Sequence, residues 1–157
     1  MKQGPQLRGR RGFTLVELVT VLVIVAVLGA YLVPKLDISG SSVAAQATGL
    51  ARDLRHAQAL AMAEGSTLVF QPAASGYRVT DSGGTTVTDP ATQRPFQVTL
   101  DNGVSLSGGA VRFDSLGRPV SAGGSLRTGP ASLALSGGGR TDTVAVSPVT
   151  GFVSVSY

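Results

Sequence analysis

The chain has no cysteine and no tryptophan in 157 residues, and a single histidine, His56. The first absence excludes disulfides, thiolate metal sites and cysteine nucleophiles. With one histidine, and with no Gly-x-Ser-x-Gly elbow, no His-Glu-x-x-His helix and no phosphate-cradling glycine loop, the usual bases and nucleophiles are missing too. The expectation is a protein that is not an enzyme and needs no cofactor and no metal. Aromatics make up only 5% of the residues, so the core must be assembled from Val, Leu and Ala. An excess of one charge sign is also missing where it would matter. The net charge of +4 suggests nucleic acid, but Lys2, Arg8, Arg10 and Arg11 supply all of it. From Phe13 onward nine basic side chains face nine acidic ones.

What stands out against this sparse background is one uncharged apolar stretch. After Arg10-Arg11-Gly12-Phe13-Thr14-Leu15-Val16-Glu17, no charge occurs between Leu18 and Val33. As a helix, Phe13 to Val33 would be about 32 Å long, enough for a hydrocarbon core of about 30 Å. The four basic residues all precede it, so the amino end is expected to stay cytoplasmic and the rest to cross. Glu17 does not suit a simple anchor. An ionisable residue inside a spanning helix costs roughly 2.5–3.5 kcal/mol on insertion scales and marks a functional position.

The basic leader, Gly12 and Phe13-Thr14-Leu15-Val16-Glu17 together resemble the class III signal of type IV pilins and type II secretion pseudopilins. The resemblance implies cleavage by a prepilin peptidase between Gly12 and Phe13, and N-methylation of Phe13. It also implies an assembly role for Glu17, the fifth residue after the cut, and a helix kink at Pro34. Glu17 of one subunit would neutralise the amino terminus of a neighbour inside the bilayer. Two plainer readings stand beside this one. A simple uncleaved anchor has no use for Glu17. A secretory signal cut before Ala30, after Val27 and Gly29, would have an unusually long core containing a carboxylate.

Beyond Pro34, Leu36–Ser42 reads as a break or loosened helix. Val43, Ala47, Leu50, Leu54, Ala57 and Ala61 then recur at steps of three and four on one helical face. A helix over 43–64 should end at the C′ glycine Gly65. Arg52 and His56 fall on the opposite face, where His56 is expected to be solvated. Short alternating runs follow at Thr67–Gln71, Tyr77–Asp81, Phe96–Leu100, Val111–Asp114, Ser132–Leu135, Thr143–Ser147 and Phe152–Tyr157. Glycine-rich turns separate them, Asp101-Asn102-Gly103 reading as a hairpin turn. In the last run Phe152, Val153 and Val155 are expected to be the half-buried set. The polar stretch 82–95 is expected to be a mobile loop.

Phe113-Asp114-Ser115-Leu116-Gly117-Arg118-Pro119, together with Val144–Ser147 and Thr150-Gly151-Phe152-Val153, is similar to the GspH/FimT group of minor pseudopilins and minor pilins. So is the helix text Leu50–Glu64. The resemblance covers Gly12 to Tyr157, while Gly117 and Gly151 by themselves read as positive-φ turn residues. The fold implied is α+β, pilin-like. It comprises a cleaved leader (1–12), a membrane half-helix (13–34), an amphipathic periplasmic half-helix (35–65) and a β-rich periplasmic domain (66–157). The function implied is a minor pseudopilin of a type II secretion system, near the tip of a periplasmic filament. Its partners would be other pseudopilins, the prepilin peptidase, an inner-membrane assembly platform and membrane lipid.

The alternatives are a FimT-like minor type IV pilin active in pilus biogenesis or DNA uptake, and a lone membrane-anchored periplasmic binding module. DNA-binding members of the FimT branch resemble one another in a Gly-Arg-x-Arg motif. Here the corresponding Gly151-Phe152-Val153-Ser154 lacks both arginines, and Gly139-Arg140-Thr141-Asp142 keeps only one. Arg118 and Arg140 are the weak candidates for DNA contact, and no tight nucleic-acid binding is expected.

Overall fold

The computed structural model describes residues 14–32 and 38–157. Lys2, Arg8, Arg10, Arg11, Gly12, Phe13 and Pro34 lie outside the described residues. The chain divides after Asp37 into two units.

The first unit contains α1 (Leu15–Leu32). Thr14 starts it, its Oγ1 accepting the Glu17 N–H at 3.2 Å while its carbonyl accepts the Leu18 N–H. Thr14-x-x-Glu17 is thus a capping-box sequence, and Glu17 sits where its charge favours the helix dipole. The large apolar side chains from Leu15 to Leu28 are 48–78% exposed, all around the helix. Such a helix needs cover from lipid or from other chains. At 18 residues α1 is about 27 Å long, and no helix among the described residues is long and apolar enough to cross a membrane. The apolar run in the sequence extends beyond it at both ends.

The second unit is built on α2 (Ile38–Glu64). All six residues of the expected stripe are buried, and Ala51 and Leu60 widen it. The helix ends at Gly65 (φ +63), as expected. It begins five residues earlier than Val43, so Ile38–Ser42 is helix and not a break. Serine and glycine are poor helix formers, but tertiary contacts override that weak preference. Gln46 on the same helix donates to Ser42 Oγ and to the Asp101 carbonyl, and accepts the Asp101 N–H.

Two antiparallel sheets pack on this stripe. The first has the order β5-β2-β1-β7-β8, from β1 (Leu68–Ala73), β2 (Gly76–Asp81), β5 (Gln97–Thr99), β7 (Val111–Phe113) and β8 (Pro119–Val120). The second has the order β11-β10-β9-β6, from β6 (Ser105–Gly108), β9 (Ala131–Gly137), β10 (Arg140–Val146) and β11 (Val153–Ser156). Gly138 and Gly139 (φ +57 and +78) make the two-residue turn between β9 and β10, which only positive φ at both positions allows without splaying the strands. Phe70, Phe113, Leu133, Leu135 and Val144 meet Leu50 and Leu54 in one core. The architecture is the expected α+β, a helix over antiparallel sheet.

Each of the seven expected strands is present, with ends shifted by up to three residues. Within the β-rich part, three details depart from expectation. Residues 82–95, expected to be a mobile loop, contain two short strands, β3 (Thr88–Asp89) pairing with β4 (Arg94–Pro95) as a small ribbon. Asp101-Asn102-Gly103 does turn, with Asn102 and Gly103 at φ +57 and +69, but it is no hairpin: β5 and β6 belong to different sheets. Phe152 is 64% exposed, because the alternation along β11 turns Val153 inward and Phe152 outward.

Candidate functional site

Two glycine turns meet on the carboxyl-terminal part of α2. In the first, Asp114 organises its own turn. Its Oδ1 accepts the N–H groups of Leu116 and Arg118, and its Oδ2 pairs with the Arg118 guanidinium at 2.7 Å. An Asp that bonds the backbone two residues ahead is a turn former, and Gly117 (φ +74) supplies the left-handed residue that closes it. Burial opposes ionisation of Asp114. The bonds from the Arg118 side chain and the two backbone N–H groups outweigh it and hold the carboxyl below its ordinary value.

The second turn, Ser147–Phe152, closes β10 onto β11. Ser147 donates to the Phe152 carbonyl at 2.8 Å, and Gly151 (φ +70) donates back to Ser147. Gln58 of α2 clamps both turns, its Nε2 donating to the Gly117 carbonyl (2.7 Å) and the Thr150 carbonyl (3.1 Å). The backbones lie so close that a Cβ on Gly151 would meet Gln58 Nε2 and would stand 2.8 Å from the Gly117 oxygen. Arg55 completes the seam by donating to the Val153 carbonyl at 2.8 Å. Residues 113–119 and 147–153, which the sequence singled out separately, are one structural feature. Gln58 was missed, because it lies on the flank of the apolar stripe and nothing in its neighbourhood marks it.

The two candidate DNA contacts are engaged within the domain. Arg118 pairs with Asp114, and Arg140 donates to Asp142 at 2.8 Å while lying over the Tyr157 ring at 5.9 Å. The expectation for His56 needs correction. It is half-buried, with Nε2 3.4 Å from Asp89 Oδ1 and its ring edge-on to Phe96 at 5.3 Å. The β3–β4 ribbon lies over that helix face, which the sequence left open to solvent. Nearby, Tyr77 donates to Asp53 Oδ2 at 2.8 Å. Burial, then the Asp53 charge, pushes its phenol well above the ordinary value. At the other end of the chain, Glu17 is exposed in the first turn of α1.

Residues 7–33 match the prokaryotic N-terminal methylation motif, and residues 46–151 match the family of type II transport protein GspH. No curated protein and no solved structure matches the chain. The first match takes in the Gly12–Phe13 junction and Glu17; the second runs from Gln46 of α2 through every strand but β11 and includes Gly117 and Gly151, well over half of the chain. The methylation motif and the helix-on-sheet domain therefore point one way, and this chain belongs to the GspH family, the minor pseudopilins of type II secretion.

Proposed function

We propose that the chain is an inner-membrane-anchored, non-catalytic subunit placed near the tip of a periplasmic pseudopilus. In this reading the prepilin peptidase cuts between Gly12 and Phe13, and Phe13 is N-methylated. Phe13–Pro34 then occupies the bilayer with the leader side cytoplasmic, Pro34 kinking its end. The observation that carries the reading is α1, apolar on every side and exposed, with a carboxylate in its first turn. Inside hydrocarbon that carboxylate is costly unless a cation meets it. The methylated amine of a neighbouring subunit, presented by the assembly platform, is such a cation. Filament contacts then cover the apolar face as the subunit leaves the lipid.

The test follows processing and assembly separately. Intact mass and amino-terminal sequencing of the membrane protein should give a chain beginning at N-methylated Phe13. Gly12→Val should leave the precursor uncut. Glu17→Ala should be cut and inserted normally yet be depleted from filaments. A start at Ala30, or normal incorporation of the Glu17→Ala variant, would overturn the reading.

A further inference from the structure

A cleft of about 300 Å³ opens on the first sheet where β1, β2 and β5 run side by side. Gln71, Arg78 and Gln97 are cross-strand partners and form one row across it. Strand alternation puts that row on the face opposite Phe70 and Val79, which lie in the core beneath α2. The row is anchored on a buried residue. Thr80 is fully buried, and its Oγ1 accepts from Gln71 Nε2 at 3.2 Å. Gln71 Oε1 is then turned to Arg78, whose Nε donates to it at 3.1 Å. The two ends of one amide thus fix where the guanidinium lies. Among the described residues its Nη groups meet no partner, and neither do the side chains of Ser75, Gln97 and Thr99, which also line the cleft. No carboxylate lines it. Arg112, by contrast, shares its cleft with Asp81 and Asp114, and Arg52 and Arg94 share theirs with Asp53 and Asp89.

We infer that this cleft binds the carboxylate of a small hydroxylated ligand, with Arg78 as the anion contact and Ser75, Gln97 and Thr99 around it. Three features select that chemistry. A guanidinium held through Nε keeps its pair of terminal N–H groups for a planar, two-pronged match to a carboxylate. One cation without a carboxylate partner suits a ligand with a single negative charge, whereas a nucleic-acid backbone needs several. The neutral side chains around it can each donate and accept, as the hydroxyl groups of a sugar acid or hydroxy acid do. The volume is at the small end for ligand pockets, which fits one such unit and not a polymer. The site is separate from the filament role and does not depend on it.

The experiment titrates the full-length chain, in detergent micelles, with galacturonate and follows the arginine Nε–H and glutamine side-chain amide signals by NMR. The Arg78 and Gln97 signals should shift together and saturate, with half-saturation on the order of 1 mM. The Arg94 and Arg112 signals should not saturate with them. Galactose, which has the hydroxyls without the charge, should produce no saturating shift. Acetate, which has the charge without the hydroxyls, should bind about tenfold more weakly than galacturonate. Arg78→Gln should abolish the response at Gln97, and Arg78→Lys should weaken it, since an ammonium cannot offer the fork. Gln71→Glu keeps the shape of the side chain and still accepts from Arg78 Nε, but supplies a carboxylate of its own. It should leave the fold and thermal midpoint near wild type and abolish galacturonate binding, a pair of outcomes that loss of structure would not give. No saturation at Arg78, arginine signals that all move alike, equal binding of galactose, or unchanged affinity in Arg78→Gln or Gln71→Glu would each overturn the inference. Inorganic phosphate binding more tightly than galacturonate would overturn it as well.

Discussion

At the scale of single residues, the molecule depends on a few backbone positions that tolerate only one side chain. Gly151 is both at positive φ and in contact with the Gly117 carbonyl and Gln58. Gly151→Ala should therefore destabilise the domain by more than about 1 kcal/mol, read from urea or thermal unfolding. Gly139→Ala, also at positive φ but with open space around it, should cost less. Asp114 gives the domain an acid limit. Its folded carboxyl titrates below its unfolded value, so its stabilising contribution is complete above the unfolded value and is lost as pH falls through the folded one. Thermal stability should decline on acidification below about pH 4. Asp114→Asn should be less stable at neutral pH and lose less on acidification. Equal acid slopes in the two proteins would show that Asp114 is not the group responsible.

At the scale of elements, α2 carries the domain because its stripe meets both sheets. Leu54 is fully buried in the middle of it, and Leu54→Ala should cost about 2–5 kcal/mol. A loss under 1 kcal/mol in chemical unfolding would mean that the core closes around the gap. The alternating small residues Ala47, Ala57 and Ala61 let the strands approach, so the helix is short of bulk by design of the packing rather than by weak hydrophobicity. The β3–β4 ribbon is the element that sequence patterning could not supply. Each of its strands has only two residues, and period-two alternation cannot show in so short a run. What fixes it is tertiary bonding, from Val87 N–H to the Val79 carbonyl and from Phe96 N–H to the Val87 carbonyl, with His56 beneath.

At the scale of the whole molecule, residues 38–157 hold the entire core and should form a folded domain without α1. That fragment should unfold cooperatively, and an aggregated product without a transition would place the boundary elsewhere. It should also bind double-stranded DNA no more tightly than about 10⁻⁴–10⁻⁶ M at physiological salt, measured by fluorescence anisotropy. Arg118 and Arg140 are each held by an aspartate, and the eight arginines of residues 38–157 face seven acidic side chains, so the net charge available for phosphates is small. Sub-micromolar binding that Arg118→Ala or Arg140→Ala removes would instead favour a DNA-uptake pilin.

The sequence by itself determined what depends on neighbours along the chain. Helix periodicity placed the face of α2, alternation placed seven strands, and the positive-φ glycines marked turns, because each of these is a local property of backbone and side chain. The amino-terminal signal was legible for a similar reason: it is a continuous string that a processing enzyme must read. Only the tertiary structure decided which strands share a sheet, since β5 and β6 are joined by a good local turn and still part company. It alone covered part of His56, by folding over it a ribbon too short to leave a pattern. It also brought Gly117 and Gly151 together on Gln58, residues far apart in sequence whose contact rests on close packing of two backbones and one side-chain amide, which no spacing along the chain encodes.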